Sequence, residues 1–142
     1  MKKEYRVIRR TPTLAEYKAI CSAVGWADVM NFEAADGSLK NSLFGVVVQH
    51  QNEIVGMGRI VGDGCVYFYI QDIAVIPEHQ SQGVGRLIMG AITGYLEKNA
   101  PEKSFVGLFS AEGKETFYRK YGFQNHQGMT GMFGVIREGE IK

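Results

Sequence analysis

Asp72-Ile73-Ala74-Val75-Ile76-Pro77-Glu78-His79-Gln80-Ser81-Gln82-Gly83-Val84-Gly85-Arg86 is the stretch on which the fold turns. The run Cys65 to Ile76 is rich in aromatic and β-branched residues and reads as a strand that Pro77 ends. From Gly83 to Lys98, Leu87, Ile88, Ala91, Ile92, Tyr95 and Leu96 recur at helical spacing until Pro101 interrupts. Between the two lies a loop with glycines at 83 and 85. Strand, Gly-containing loop and helix N-terminus together suit an anion. The glycines let backbone come close, the first-turn N–H groups lack intrahelical partners, and the helix dipole favours negative charge. A pyrophosphate would suit this loop; glycines that merely shape a strand-to-helix turn are the alternative.

The usual nucleotide motifs do not fit. A Rossmann fingerprint requires a third glycine where Ile88 stands, and an acidic residue about 20 positions on, where Ser104-Phe105-Val106-Gly107 has none. A P-loop is excluded because no Gly-Lys-Ser/Thr follows a spaced glycine.

Outward from this unit, Leu43 to Gln49 and Ile54 to Val61 read as a hairpin broken at His50 to Asn52. Gly62-Asp63-Gly64 marks a tight turn into the third, antiparallel strand. Toward the N-terminus, Tyr5 to Ile8 reads as a short strand. Thr13 and Glu16 have capping-box spacing for a helix over 13 to 24 closed by Gly25. Trp26 to Ser42 lacks a clean period and reads as a loop or short helix over a pocket, or as a surface excursion. After Pro101 come a short strand at Ser104 to Phe109, a short helix at Glu112 to Tyr121 and a last strand at Met129 to Ile136. The order is β-α, a β-meander, then α-β-α-β.

The 142 residues include 18 glycines and 3 prolines, and 45% of them are hydrophobic, as expected for one globular domain whose glycines punctuate a fold. A net charge of +1 carries no broad attraction to nucleic acid or acidic membrane. Cys21 and Cys65 show no metal-site or redox spacing and read as reduced, partly buried thiols; no metal is expected. The longest apolar stretch, near Leu87 to Leu96, falls short of the about 20 residues that span a bilayer, so a cytoplasmic protein is expected.

Gln80-x-x-Gly83-x-Gly85, preceded by Asp72 to Pro77, resembles the acyl-CoA pyrophosphate motif of the GNAT superfamily of N-acetyltransferases. Phe117-Tyr118-Arg119-Lys120-Tyr121-Gly122-Phe123 resembles the Phe-Tyr-x-x-x-Gly-Phe segment of the same family. The likeness covers residues 43 to 125 closely. It implies an α/β (α+β) fold: one domain over 1–142, with a mixed, mostly antiparallel sheet of six to seven strands flanked by helices.

The resemblance also assigns roles. Acetyl-CoA is the implied co-substrate. Its pyrophosphate would rest on the backbone of Gln82, Gly83, Val84, Gly85 and Arg86, with Gln80 and Ser81 helping. Ile73, Ala74 and Val75, on a strand that bulges and splays in the family, would hold the pantetheine arm and thioester, with Ser110 and Phe117 completing the cofactor set. Tyr118 matches the general acid that protonates the departing thiolate. The family's base positions hold Tyr69 and Gln71 here, neither competent at neutral pH. Asp72 is the nearest carboxylate, but strand alternation turns it to the face opposite Gln71 unless a bulge re-aims it. An anchoring role for Asp72, a water chain, or an amine arriving neutral are the alternatives. His79 and Glu78 read as solvated loop residues.

Trp26, Phe32, Tyr69 and Gln71 are the candidates for the acceptor pocket, since aromatic faces suit an alkylammonium group; ordinary packing is the alternative. The expected partner is a small-molecule amine attacked in a ternary complex, with neither nucleic acid nor membrane involved. A protein or peptide acceptor and a non-catalytic acyl-CoA sensor remain as alternatives, and a homodimer is left open.

Overall fold

The computed structural model describes residues 3–142. The chain forms two compact units, one ending at Leu108 and the other spanning Phe109–Lys142.

The first unit is a five-stranded sheet in the order β1-β2-β3-β4-β5 with helices on both faces. Strand β1 (Arg6–Ile8) pairs antiparallel with β2 (Phe44–His50), β2 with β3 (Glu53–Gly62) and β3 with β4 (Tyr67–Val75); β5 (Phe105–Gly107) adds in parallel. The β2–β3 connection is tight, with Gln51 at φ +55. The β3–β4 turn is tied by the Asp63 carboxylate, which accepts from the backbone N–H groups of Cys65, Val66 and Tyr67 at 2.8 to 3.0 Å. This confirms the meander.

Helix α1 (Leu14–Ala23) begins in the expected capping box: Thr13 Oγ1 accepts from Glu16 N–H at 3.1 Å, and Glu16 Oε1 accepts from Thr13 N–H at 2.9 Å. It ends with Gly25 at φ +85, Trp26 N–H donating to the Cys21 carbonyl and Gly25 N–H to that of Ser22. The segment read without a period holds a 3-10 turn at Ala27–Val29 and a true helix, α2 (Phe32–Lys40). Asn31 caps α2 through Ala34 N–H, and Ala35 and Leu39, four apart, are its buried stripe. So short a stripe, interrupted by Gly37, hides the helix from a periodicity reading.

Helix α3 (Val84–Asn99) lies on the face opposite α1 and α2. A Cβ on Gly58 would fall 2.7 Å from the side chains of both Ile73 and Ile88, and one on Gly56 2.9 Å from Val84. These two glycines of β3 thus form the floor on which α3 sits, and a helix rather than a ligand explains them. Gly90 and Gly94 have nothing within 4 Å of a built Cβ and are exposed, so they do not serve close packing on the sheet. Leu87, expected in the buried face of α3, is 37% exposed, whereas Met89 is fully buried. The core joins Val46, Val47 and Val48 of β2 with Ile60, Phe68, Ile88 and Ile92. Of the two thiols, Cys21 is on the buried face of α1 and Cys65 is exposed.

In the second unit, α4 (Glu115–Arg119) is a helix of five residues. The expected strand over 129 to 136 does not form. Only its last residue enters a ladder: β6 (Ile136–Arg137) pairs antiparallel with β7 (Glu140–Ile141), and Val135 and Lys142 exchange both backbone hydrogen bonds. Gly128, Gly131 and Gly134 punctuate the segment every third residue, and composition alone could not supply a pairing partner. Among the described residues the strands number seven, divided between a sheet of five and a hairpin of two.

Candidate active site

Strand β4 changes character along its length. Its first three residues, Tyr67, Phe68 and Tyr69, lie opposite Phe105, Val106 and Gly107 of β5, and Phe68 and Tyr69 pair with β3 as well. Beyond Tyr69 the β5 ladder stops, and the residues that still pair, Ile70, Gln71, Ala74 and Val75, do so with β3 alone. In that half the register shifts: Met57 faces Ala74 and Arg59 faces Gln71, so β4 carries one extra residue. This is a β-bulge, and Asp72 within it has φ +57. The expected bulge is present, and the one-sided half of β4 contains Ile73, Ala74 and Val75.

Alternation along β4 would put Asp72 on the α3 face; the bulge turns its carboxylate to the other. Asp72 Oδ2 accepts from Arg59 Nε at 2.7 Å and from Tyr17 Oη at 3.0 Å. Both side chains of the ion pair are about nine-tenths buried, at 8% and 11% exposed. Burial first, and then the neighbouring Asp72 charge, push the Tyr17 phenol upward, so it stays protonated and donates. An oxygen engaged by a guanidinium and a phenol is poorly placed to take a proton from an amine. These contacts are those of the anchoring role that stands as the alternative to a base.

After β4, Pro77–His79 forms a 3-10 turn, and the loop then enters α3 through Ser81 at φ +62 and Gly83 at φ +88. Gly83 is the N-cap of α3, with no side chain capping the helix and no acidic residue in its first turn. The first-turn N–H groups of Val84, Gly85 and Arg86 are those an α-helix leaves without an intrahelical acceptor. Val84 sends its side chain into the core, while Ser81, Gln82 and Arg86 are exposed around this opening. Gln80 is turned elsewhere: its Nε2 donates to the Val75 carbonyl at 2.9 Å, bracing the loop against the end of β4.

His79 is buried rather than solvated, with its ring 4.9 Å from that of His50 and Nδ1 2.8 Å from Tyr5 Oη. Tyr5 also donates to Gln82 Oε1 at 3.1 Å, so the N-terminal segment steadies the loop. Burial, followed by Lys3 and His50, holds the His79 imidazole below its ordinary value, against weaker opposing pulls from Glu53 and Glu78.

Among the acceptor candidates, Trp26 is half-buried where α1 ends, and Phe32, also half-buried, opens α2. The Phe32 ring meets Tyr17 edge-on at 6.4 Å and receives the Lys18 ammonium 5.9 Å from its centroid. Tyr69 and Gln71 are half-buried on β4, and burial pushes the Tyr69 phenol upward.

Ser110, Phe117 and Tyr118 belong to the second unit. Ser110 Oγ donates to the Ala111 carbonyl at 2.9 Å. Phe117 stacks edge-on against Tyr118 and Tyr121 at 5.1 and 5.5 Å. Gly122, at φ +96, closes α4. Burial pushes the Tyr118 phenol upward, so at neutral pH it carries its proton.

Sequence reading missed Arg59, Tyr17, Tyr5 and His50. For Arg59 a signal existed. Arg59 and Asp72 are lone, opposite charges inside two apolar segments expected to pair antiparallel, and such charges are seldom buried singly.

The sequence model of the acetyltransferase (GNAT) domain matches residues 14–137. The chain belongs to this family. A probable acetyltransferase from methicillin-resistant Staphylococcus aureus superposes with a TM-score of 0.86 at 32% identity, covering 94% of this chain and 100% of that one. A GNAT family protein from Streptococcus pneumoniae gives 0.79 at 28%, covering 95% and 100%. The uncharacterized N-acetyltransferase ycf52 of Porphyra purpurea is 29% identical over 129 residues, 87% of this chain and 72% of the relative. The protein is thus an acetyltransferase of the mixed α/β GNAT fold. Among the described residues of this acetyltransferase, no helix is long and apolar enough to cross a membrane, and no cluster of three or more His, Cys, Asp and Glu could hold a metal ion.

Proposed function

We propose that residues 1–142 act as one N-acetyltransferase domain that moves an acetyl group from acetyl-CoA to the primary amine of a small molecule, by direct attack in a ternary complex. The observation that carries the reading is the adjacency of an uncapped helix N-terminus, entered through left-handed Gly83, to a bulged strand half left unpaired on one side. Acetyl-CoA supplies the activated thioester carbonyl.

The donor set fits such a group. The N–H groups of Val84, Gly85 and Arg86 suit the pyrophosphate, as does the Arg86 guanidinium, with Gln82 and Ser81 at the rim. Gln80 acts at one remove, joining this loop to Val75. The one-sided half of β4, Ile73 to Val75, suits the arm, whose amides can pair with a free strand edge. Ser110 and Phe117 are the remaining cofactor contacts in this reading.

In the reaction the amine nitrogen bonds to the acetyl carbon and the carbon–sulfur bond breaks. The sulfur gains a proton and the amine loses one. Tyr118 Oη is the proposed proton donor, supported by its place in the Phe117-to-Phe123 motif and by a half-buried phenol that keeps its proton. With Asp72 engaged as an anchor, the proton leaving the amine passes to solvent. The half-buried aromatic residues Trp26 and Phe32 with Tyr69 and Gln71 form the proposed acceptor pocket. A small alkylamine is favoured because Phe32 already holds one alkylammonium, that of Lys18, over its ring.

Release of free thiol from acetyl-CoA, measured across polyamines, amino acids, amino sugars and peptides, tests this. Turnover on small amines supports the reading. Turnover confined to peptides replaces the acceptor, and CoA binding with no turnover on any acceptor overturns the enzymatic reading.

A further inference from the structure

Three secondary-structure elements meet at one carboxylate oxygen of Asp72, and Arg59 ties in a fourth. Arg59, on β3, donates Nε–H to Asp72, and its two terminal nitrogens reach α2 and the residue after its C-cap: Nη1 donates to the Ser38 carbonyl and Ser42 Oγ, both at 3.1 Å, and Nη2 to Ser38 Oγ at 2.9 Å. The Ser38 carbonyl lies in the last turn of α2, where the helix dipole favours a cation. From α1, Tyr17 donates to the same oxygen of Asp72.

What these side chains hold is a backbone conformation that non-glycine residues seldom adopt. Asp tolerates a left-handed φ chiefly when its side chain bonds to nearby backbone. Here the carboxylate is drawn instead across the ladder to Arg59, the residue facing Gln71. On the opposite face the next residue, Ile73, packs over Gly58, where an added Cβ would come within 2.7 Å of its Cδ1. Asp72 is thereby fixed toward α1 and α2, and Ile73 toward α3, the helix that begins at the phosphate loop.

We propose that Arg59 is a positioning residue. Through Asp72 it holds the bulge of β4 and so sets the backbone of Ile73 to Val75 that receives the acyl arm. This rests on the acyl-CoA reading of that strand half. The pyrophosphate opening at Gly83 to Arg86 does not share these hydrogen bonds, so the clamp governs the acyl end of the cofactor and leaves the nucleotide end alone.

The test pairs Arg59→Met with the double variant Arg59→Met/Asp72→Gly. Glycine takes a left-handed φ without a Cβ penalty and leaves no unpaired buried charge. In Arg59→Met, kcat with acetyl-CoA falls on the order of 10²-fold, the scale of a misplaced reacting group. Calorimetric affinity for 3′-phosphoadenosine 5′-diphosphate, which probes the nucleotide end alone, is unchanged. The double variant recovers most of kcat, and the backbone amide shifts of Ile73 to Val75, moved in Arg59→Met, return toward wild type. A merely structural role would not move affinity, turnover and these shifts apart. Wild-type kcat in folded Arg59→Met overturns the proposal, as does a folded double variant as slow as Arg59→Met. If Arg59→Met alone does not fold, the double variant decides: active supports, folded and inactive overturns. The amide shifts are read without cofactor, so a wild-type protein that binds no CoA would defeat the proposed function and leave the clamp to be judged on them.

Discussion

Helices α1 and α3 begin in opposite ways. At α1 the N-cap is Thr13 and the third helical position is Glu16, whose carboxylate and partner hydroxyl close the end on itself. At α3 the N-cap is Gly83 and the corresponding third position is Arg86. One end is satisfied by its own sequence and carries a carboxylate; the other is left open and carries a cation. The difference teaches that a helix start is either a structural closure or a place for an external anion, and that two residues decide which.

The strongest separation of holding from chemistry is Tyr118→Phe. Turnover should fall about 10²-fold or more while the affinity of the α3 opening for CoA stays as in wild type, read by steady-state kinetics beside calorimetry. Equal turnover would remove Tyr118 as the acid.

Gly83→Val strikes the opening itself. No neighbouring atom lies within 4 Å of a built Cβ, so the cost comes from φ +88 rather than from a clash within the protein. A β-branched residue there is strained by about 1–3 kcal/mol or distorts the loop, and CoA affinity should weaken by about ten- to a hundred-fold. Unchanged affinity would sink the cradle assignment.

Arg86→Glu gives α3 the third-position acid that α1 has. CoA binding should weaken by about ten-fold at low salt, with the loss shrinking as salt screens it. The mirror experiment, Thr13→Ala, should cost about 1 kcal/mol of stability in urea unfolding and leave CoA affinity untouched. A fall in CoA affinity there would break the contrast between the two ends.

The smallest effect concerns the loop before α3. His79 in the fold is held below the ordinary imidazole value, so the unfolded chain takes up its proton first, near pH 6.5. The stability this residue contributes is therefore complete above that pH and lost as pH falls through the window below it. His79→Gln should flatten the decline in urea midpoint between about pH 7 and about pH 5.5. An identical slope in the variant would show that His79 does not report the burial of this loop.

Where a feature depends on neighbours in the chain, the sequence makes it legible. The Thr13 and Glu16 spacing, the Gly62-Asp63-Gly64 turn and the Gly83 entry to α3 are such features, and the structure has each of them. Where it depends on a distant partner, the sequence is silent or misleading. Strict alternation sends Asp72 to the wrong face because the bulge is held by an ion pair 13 residues away. His79 looks like a solvated loop residue until Tyr5, 74 residues earlier, covers it. The segment over 129 to 136 has strand composition but only its last residue finds a ladder. Helix α2 escapes notice because two buried residues are too few to show a period.

If the open start of α3 receives the pyrophosphate of CoA, its backbone amides must report it. Titrating unlabelled CoA into uniformly ¹⁵N-labelled protein and following those amides is the most direct test. Saturable shifts are expected, largest at Val84, Gly85 and Arg86, with Leu14 to Glu16 at the closed start of α1 unmoved. Saturable binding that leaves the α3 amides in place, or no saturable binding at all, would contradict the assignment.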